Sequence, residues 1–177
     1  GIDTGAVVMQ QKIPIEERDT FGIQLEKLGM LGASMAMQLL QICRLHPIPP
    51  SIPQNESLAK YYKRPVAADL MINWNTMSSE QVIRLINACN PWNKGAGAMI
   101  NHMVICLTDA EPAGEILTGN IAPGTIIALD KEAGLKIYCF DNKAIKINVI
   151  CTPQGFFAGN RLVDYGIRIH DQFLSPS

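Results

Sequence analysis

The hydrophobic period of this chain changes at Pro91, and that change most limits what it can fold into. Upstream, Leu25, Leu28, Gly32, Met35, Leu39 and Cys43 recur three or four residues apart, on one face of a helix. Asp19 and Thr20 can cap that helix, and His46-Pro47 stops it near Leu45. Gly22, Gly29 and Gly32 lie inside it, where close packing against a neighbour is expected to compensate them. A shorter helix is predicted from Ser78, at capping-box spacing from Gln81, to about Cys89. Beyond Pro91 the period is two. Ile126 to Ala128, Leu135 to Phe140 and Ala144 to Cys151 read as strands, with turns at Asp130 to Gly134 and at Asp141-Asn142. Ile145, Ile147 and Val149 alternate with Lys146 and Asn148, as in a half-buried antiparallel strand. About five or six such strands without long helices suggest a small barrel, so the expected class is α+β.

The chain divides accordingly. Residues 1–46 read as an extended stretch from Ile2 to Ile15 followed by one helix, the end of an α/β domain whose remaining strands are not in this sequence. Residues 47–74 read as a linker, with Pro47, Pro49, Pro50, Pro53 and Pro65. Residues 75–177 read as the compact, mainly β domain. The chain opens at Gly1 on an apolar, strand-like stretch without Met, which is the pattern of a truncation. Unpaired strand edges find partners, so a homodimer through this N-terminal segment is expected.

Fifteen basic and sixteen acidic side chains leave a net charge of -1, so the bulk numbers show no large basic surface and leave room only for a local basic face. The five cysteines form no Cys-x-x-Cys pair, so no metal site and no disulfide framework is expected; they read as free thiols of a cytoplasmic protein. The longest apolar runs fall far below about 20 residues, so no membrane span is expected.

Gly-Ile-Asp-Thr-Gly at residues 1–5 is the most suggestive short motif. Asp-Thr-Gly also occurs in aspartic proteases, but there two such aspartates share a proton, and this chain has one. Other motifs extend it. Ala6-Val7-Val8-Met9-Gln10, Ile13-Pro14-Ile15 and Asp19-Thr20 follow. Next come Tyr61-Tyr62-Lys63-Arg64-Pro65 with Ile72-Asn73-Trp74, and Ser79-Glu80-Gln81 leading to Asn87-Ala88-Cys89-Asn90-Pro91-Trp92. Ala122-Pro123-Gly124-Thr125-Ile126-Ile127 completes the series. In this order the motifs resemble the C-terminal part of the folate-dependent formyltransferase family, closest in pattern to its methionyl-tRNA formyltransferases.

The resemblance implies the end of a Rossmann-like catalytic domain, an interdomain segment and a C-terminal OB-like antiparallel barrel. It implies transfer of a formyl group from 10-formyltetrahydrofolate to an amine on tRNA, in protein biosynthesis, or on a nucleotide sugar. Asp3 is then the counterpart of the family's catalytic aspartate. The family's asparagine and histidine lie in an Asn-x-His-x-Ser-Leu-Leu-Pro segment, which these 177 residues do not contain. The chain by itself is therefore expected to bind no folate and to be inactive. His46, His102 and His170 lack that context and read as surface or packing residues. Two departures from the family pattern are Ala6, where an acidic residue is common, and Asn93-Lys94-Gly95-Ala96-Gly97 in place of Pro-Gly-Ala.

The candidates for RNA contact are Lys60, Lys63, Arg64, Lys94, Lys136, Lys143, Lys146 and Arg161, although any one of them taken alone reads rather as solvated surface charge. Trp74 and Trp92 are expected to pack. Gly155 to Leu162 reads as a strand-to-helix turn and not a phosphate loop, because no Gly-Lys-Ser/Thr follows. The alternative function is a non-enzymatic module whose barrel contacts RNA or a protein.

Overall fold

A computed structural model of the chain describes residues 4–116 and 119–176. The chain forms two compact units, one of residues 1–19 and 23–64, the other of residues 20–22 and 65–177.

The first unit is dominated by helix α1, Phe21–Leu45. Its start is organised by Asp19, whose carboxylate accepts from the Glu16 N–H at 2.9 Å, from Gln24 Nε2 at 2.5 Å and from Lys27 Nζ at 2.6 Å. The hydrogen bonds from Lys27 and the Glu16 backbone hold that carboxyl below its ordinary value. Gln24, Lys27, Leu31, Met35, Leu39 and Ile42 are half-buried, whereas Leu25 and Leu28 are about half exposed. Of the stripe read from spacing, only Met35 and Leu39 hold. The compensation expected for the helix glycines fails at Gly29 and Gly32, where an added Cβ would meet nothing within 4 Å.

α1 is also long and apolar enough to cross a membrane by length and composition, with a mean hydropathy of 1.2. Counting continuous apolar runs misses this, because Gly, Ser and Gln interrupt the runs while the average stays high. Among the described residues of the N-terminal stretch, extension is limited to an isolated antiparallel bridge, Val7 to Ile52, with N–H···O distances of 2.8 and 2.9 Å.

The second unit is a six-stranded antiparallel sheet with one helix. Helix α2, Ser79–Cys89, begins where its capping box predicts. The Gln81 N–H donates to Ser78 Oγ and Gln81 Oε1 accepts from the Ser78 N–H. The strands are β1 Ala96–Ile100, β2 Met103–Ile116, β3 Ile126–Asp130, β4 Gly134–Tyr138, β5 Lys143–Thr152 and β6 Gly155–Ala158. Their order is β1-β2-β5-β4-β3, with β6 also on β5. A 3-10 helix, Gly159–Tyr165, follows β6, as the strand-to-helix reading requires.

The closed OB-like barrel is not found: among the described residues no strand pair joins β1 to β3, and the sheet is open. The C-terminal tail takes up hydrogen-bonding groups on both edges instead. The Ile126 N–H donates to Asp171 O, Phe173 N–H to Gly124 O, and Leu174 N–H to Met99 O, at 2.8–2.9 Å. Edge groups taken up in this way are not free to pair β1 with β3.

The core joins α2, the sheet and the 3-10 helix after β6. It includes Trp74, Ile72, Val82, Ile86, Ile126, Leu135, Ile145, Ile147, Ile150 and Phe173. Each such side chain contributes about 1.5–3 kcal/mol when fully buried. Trp74 packs on Phe173 at 5.6 Å between ring centroids, and its indole N–H has no hydrogen-bond partner. Trp92 packs only edge-on against Phe21, at 6.4 Å between ring centroids, and is 71% exposed. The period-two reading of β5 holds through Ile147 and then slips. Between Asp109 and Ala110 of β2 the register shifts, Asn148 is the unpaired residue on β5, and its Nδ2 donates to Asp109 at 3.0 Å. Past that bulge Ile150, not Val149, faces the core.

Asp141, in the β4–β5 turn, accepts from the Ser79 N–H at 3.0 Å and from Ser79 Oγ at 2.8 Å, so it holds the first turn of α2 from outside. Burial works against its ionisation, but the Ser79 hydrogen bonds, together with the Asp141 backbone N–H and the Lys143 charge, outweigh it and keep the carboxyl below its ordinary 3.8. A lowered folded value means that the stabilisation is complete above the unfolded value and is lost as pH falls through the folded one. Asp141→Ala should therefore cost about 1–2 kcal/mol at neutral pH. The gap to the native chain should narrow below about pH 4. Urea titrations at pH 7 and pH 3 check this; an equal gap at both values would refute the charged cap.

Candidate functional site

The sequence-predicted site residues fall into three groups. Asp3 lies outside the described residues, so the structure says nothing of its surroundings. Lys60, Lys63 and Arg64 belong to the first unit, on a stretch that leaves the short 3-10 helix Glu56–Leu58 and carries no regular structure. All three are exposed, and between them Tyr61 and Tyr62 are 91% and 86% exposed. Aromatic rings normally bury much of their area. Two adjacent bare tyrosines flanked by cations form a surface able to stack planar groups and neutralise phosphates.

The remaining cations belong to the second unit and are handled differently. Lys136 and Lys146 are direct cross-strand partners on β4 and β5. Lys146 Nζ lies 3.2 Å from Glu111, Lys143 Nζ 3.9 Å from Asp141, and Arg161 Nε 2.7 Å from Asp164. Arg161 also stacks over Phe157, 5.1 Å from the ring centroid. Lys94 sits at φ +61 in the turn after α2, where its carbonyl accepts from Thr108 Oγ1. Lys143, Lys146 and Arg161 thus each hold an acidic partner.

A polar group that sequence reasoning missed lies at the other end of the sheet. Thr152 Oγ1 is 3.0 Å from the Tyr165 hydroxyl and 3.1 Å from Gln154 Oε1, and it accepts from the Gln154 N–H at 3.2 Å. With Met103, Val104, Ile105 and Pro153 these residues line a shallow cavity of about 250 Å³. Residues 13 apart in sequence leave no spacing signal; only the β5–β6 hairpin and the following 3-10 helix bring Thr152 and Tyr165 together. Among the described residues no group of His, Cys, Asp and Glu could hold a metal ion.

An antiparallel sheet with one capping helix, preceded by a short 3-10 helix at Ala67–Leu70, is the architecture of one class of domain. Residues 66–160 match the family described as formyl transferase, C-terminal domain. The methionyl-tRNA formyltransferase of Dictyoglomus thermophilum is 31% identical over 137 residues, 77% of this chain and 43% of the relative. That of Nitrosospira multiformis is 27% identical over 177 residues, 99% of this chain and 54% of the relative. Among solved structures, a HypX variant from Aquifex aeolicus superposes with a TM-score of 0.69 at 18% identity, covering 96% of this chain and 29% of that one. HypX in complex with tetrahydrofolic acid superposes with a TM-score of 0.64 at 17% identity, covering 91% and 28%.

The chain belongs to the formyltransferase family. It spans about half the length of the curated relatives it matches.

Proposed function

We propose that this chain is the acceptor-handling part of an enzyme that moves a formyl group from 10-formyltetrahydrofolate to an amine. The observation that supports it is the match of residues 66–160 to the formyl transferase C-terminal domain. The relatives' names favour methionyl-tRNA over a nucleotide sugar as the amine, and the tetrahydrofolic acid bound by HypX favours folate as the carrier. Asp3 is the counterpart of the catalytic aspartate. The attacking amine must lose a proton and the tetrahedral oxyanion needs hydrogen-bond donors; in this reading an upstream half with the Asn-x-His segment supplies the rest. The exposed Leu25, Leu28, Met30, Met37 and Leu40 of α1 are consistent with a helix that another part of the enzyme covers.

Within this reading, Lys60, Lys63 and Arg64 contact the acceptor's phosphates. The triple substitution K60A/K63A/R64A should weaken tRNA binding by roughly tenfold or more at low salt, and the slope of log affinity against log salt should become shallower by about two. Filter binding of initiator tRNA across a salt series measures both. Unchanged affinity and slope would remove the segment from the interface. The enzymatic part of the proposal is tested by tetrahydrofolate release from 10-formyltetrahydrofolate, with and without methionyl-tRNA, once an upstream half is supplied. Release that does not depend on the amine would overturn it.

A further inference from the structure

The pairing of β2 with β5 sets two cysteines directly opposite each other, Cys106 against Cys151. The neighbouring pair, Leu107 against Ile150, continues the same register, so the opposition is not an accident of a bulge. Direct antiparallel partners point to the same face, with Cα atoms about 4.5–5.5 Å apart. That lies within the span of about 4.4–6.8 Å over which a disulfide can form without backbone movement. Both thiols are free.

The pair sits in a row that crosses four strands: Gly97 of β1, Cys106, Cys151, and Phe156 of β6. At the β1 end the Met71 thioether fills the place of the missing Gly97 side chain, its sulfur 2.4 Å from where a Cβ would stand. No charged side chain interrupts this row. Cys106 is half-buried and Cys151 is 6% exposed, so reagents reach Cys106 first.

We propose that Cys106 and Cys151 are a thiol–disulfide exchange site, which a small disulfide such as oxidised glutathione closes into a reversible bond between the two central strands. The Cys106 thiolate attacks one sulfur of the small disulfide, forming a mixed disulfide and releasing one thiol. The Cys151 thiolate then attacks Cys106 Sγ and releases the second. Each cysteine gives up one proton, the small disulfide takes up both electrons, and nothing else is consumed. Burial pushes the Cys106 thiol up and Cys151 beside it adds to this, while the Lys94 ammonium acts in the opposite sense. Exchange should therefore be slow at pH 7 and faster as pH rises.

The other thiols are placed differently. Cys139 lies in the core, pushed up to about 12 by burial and then by the charge of Asp141, and Cys43 is exposed on α1. Cys89, at the end of α2, is the competitor, since it and Cys106 are close enough to influence each other's ionisation.

The test is incubation of the 177-residue chain with oxidised glutathione at pH 8.5, acid quench, alkylation, digestion and mass spectrometry. The expected dominant product is a peptide pair joined through Cys106 and Cys151, reversed by dithiothreitol and formed several-fold faster at pH 8.5 than at pH 7. C89S should still give it; C106S and C151S should not. A Cys89–Cys106 bond, a glutathione adduct on a single cysteine as the end product, or no bond would each overturn the proposal. The native chain alone decides between these outcomes, so the result does not depend on how the variants fold.

Discussion

Gly95→Ala should lower the stability of the C-terminal unit by roughly 3 kcal/mol or more, among the largest effects of any single methyl group in this chain. Gly95 lies in the turn between α2 and β1 with φ +112, a conformation that L side chains rarely adopt. An added Cβ would stand 2.0 Å from the Leu107 carbonyl oxygen and 2.7 Å from Thr108 Cα, both backbone atoms of β2. No rotamer change relieves a backbone clash, so β1 would have to lift from β2 or the turn would have to reopen. Gly29→Ala is the contrast: nothing lies within 4 Å of its Cβ, and an exposed helix position gains about 0.5–1 kcal/mol from alanine. Urea denaturation of the two variants should show shifts of opposite sign. A Gly95→Ala midpoint within error of the native one would show that this turn is adaptable and that the argument from contact is wrong.

The second large effect concerns catalysis and rests on the proposed function. The 177-residue chain should release no tetrahydrofolate from 10-formyltetrahydrofolate above background, with or without an amine. One aspartate can orient a proton or a water but cannot also supply the oxyanion donor and the histidine. Losing members of a catalytic unit removes roughly three or more orders of magnitude in rate. Joined to an upstream half that carries the Asn-x-His segment, the chain should become active, and Asp3→Asn should then remove most of that activity, on the order of a hundredfold or more in kcat. Stopped assays at saturating folate, with kcat and KM reported separately, check this. Turnover by the chain alone would show that the chemistry resides within these residues; full activity of Asp3→Asn would remove Asp3 from it.

Much of the fold was legible because the decisive signals are local. The capping box from Ser78 to Gln81 needs only residues three apart, and it starts α2 where expected. The turns at Asp130 to Gly134 and at Asp141-Asn142 follow from side chains that hydrogen-bond their own backbone, as Asp130 does with the Glu132 and Ala133 N–H groups. The strands β1 and β2 escaped the reading. Ala96-Gly97-Ala98 is too small to show a period, and β2 carries Pro112 and Gly114 inside it. The candidate cations were found as residue types, but whether each stands free or against an acid depends on a partner distant in sequence. Lys146 meets Glu111 across 35 positions and loses its independence as a phosphate contact.

By itself the sequence determined where helices and turns begin, that the C-terminal half is antiparallel β, and to which family the chain bears its resemblance. These are properties of neighbouring residues and of the order of motifs, and both survive in one dimension. Only the tertiary structure decided which face of α1 is sheltered, that the sheet stays open with the tail along its edges, and that β5 slips by one residue at Asn148. It alone decided that Cys106 and Cys151 stand opposite one another. Each of these depends on a contact between segments far apart in the chain, and which contact forms is settled by competition for a limited core and a limited set of edge hydrogen bonds. Spacing along the chain carries no record of that competition.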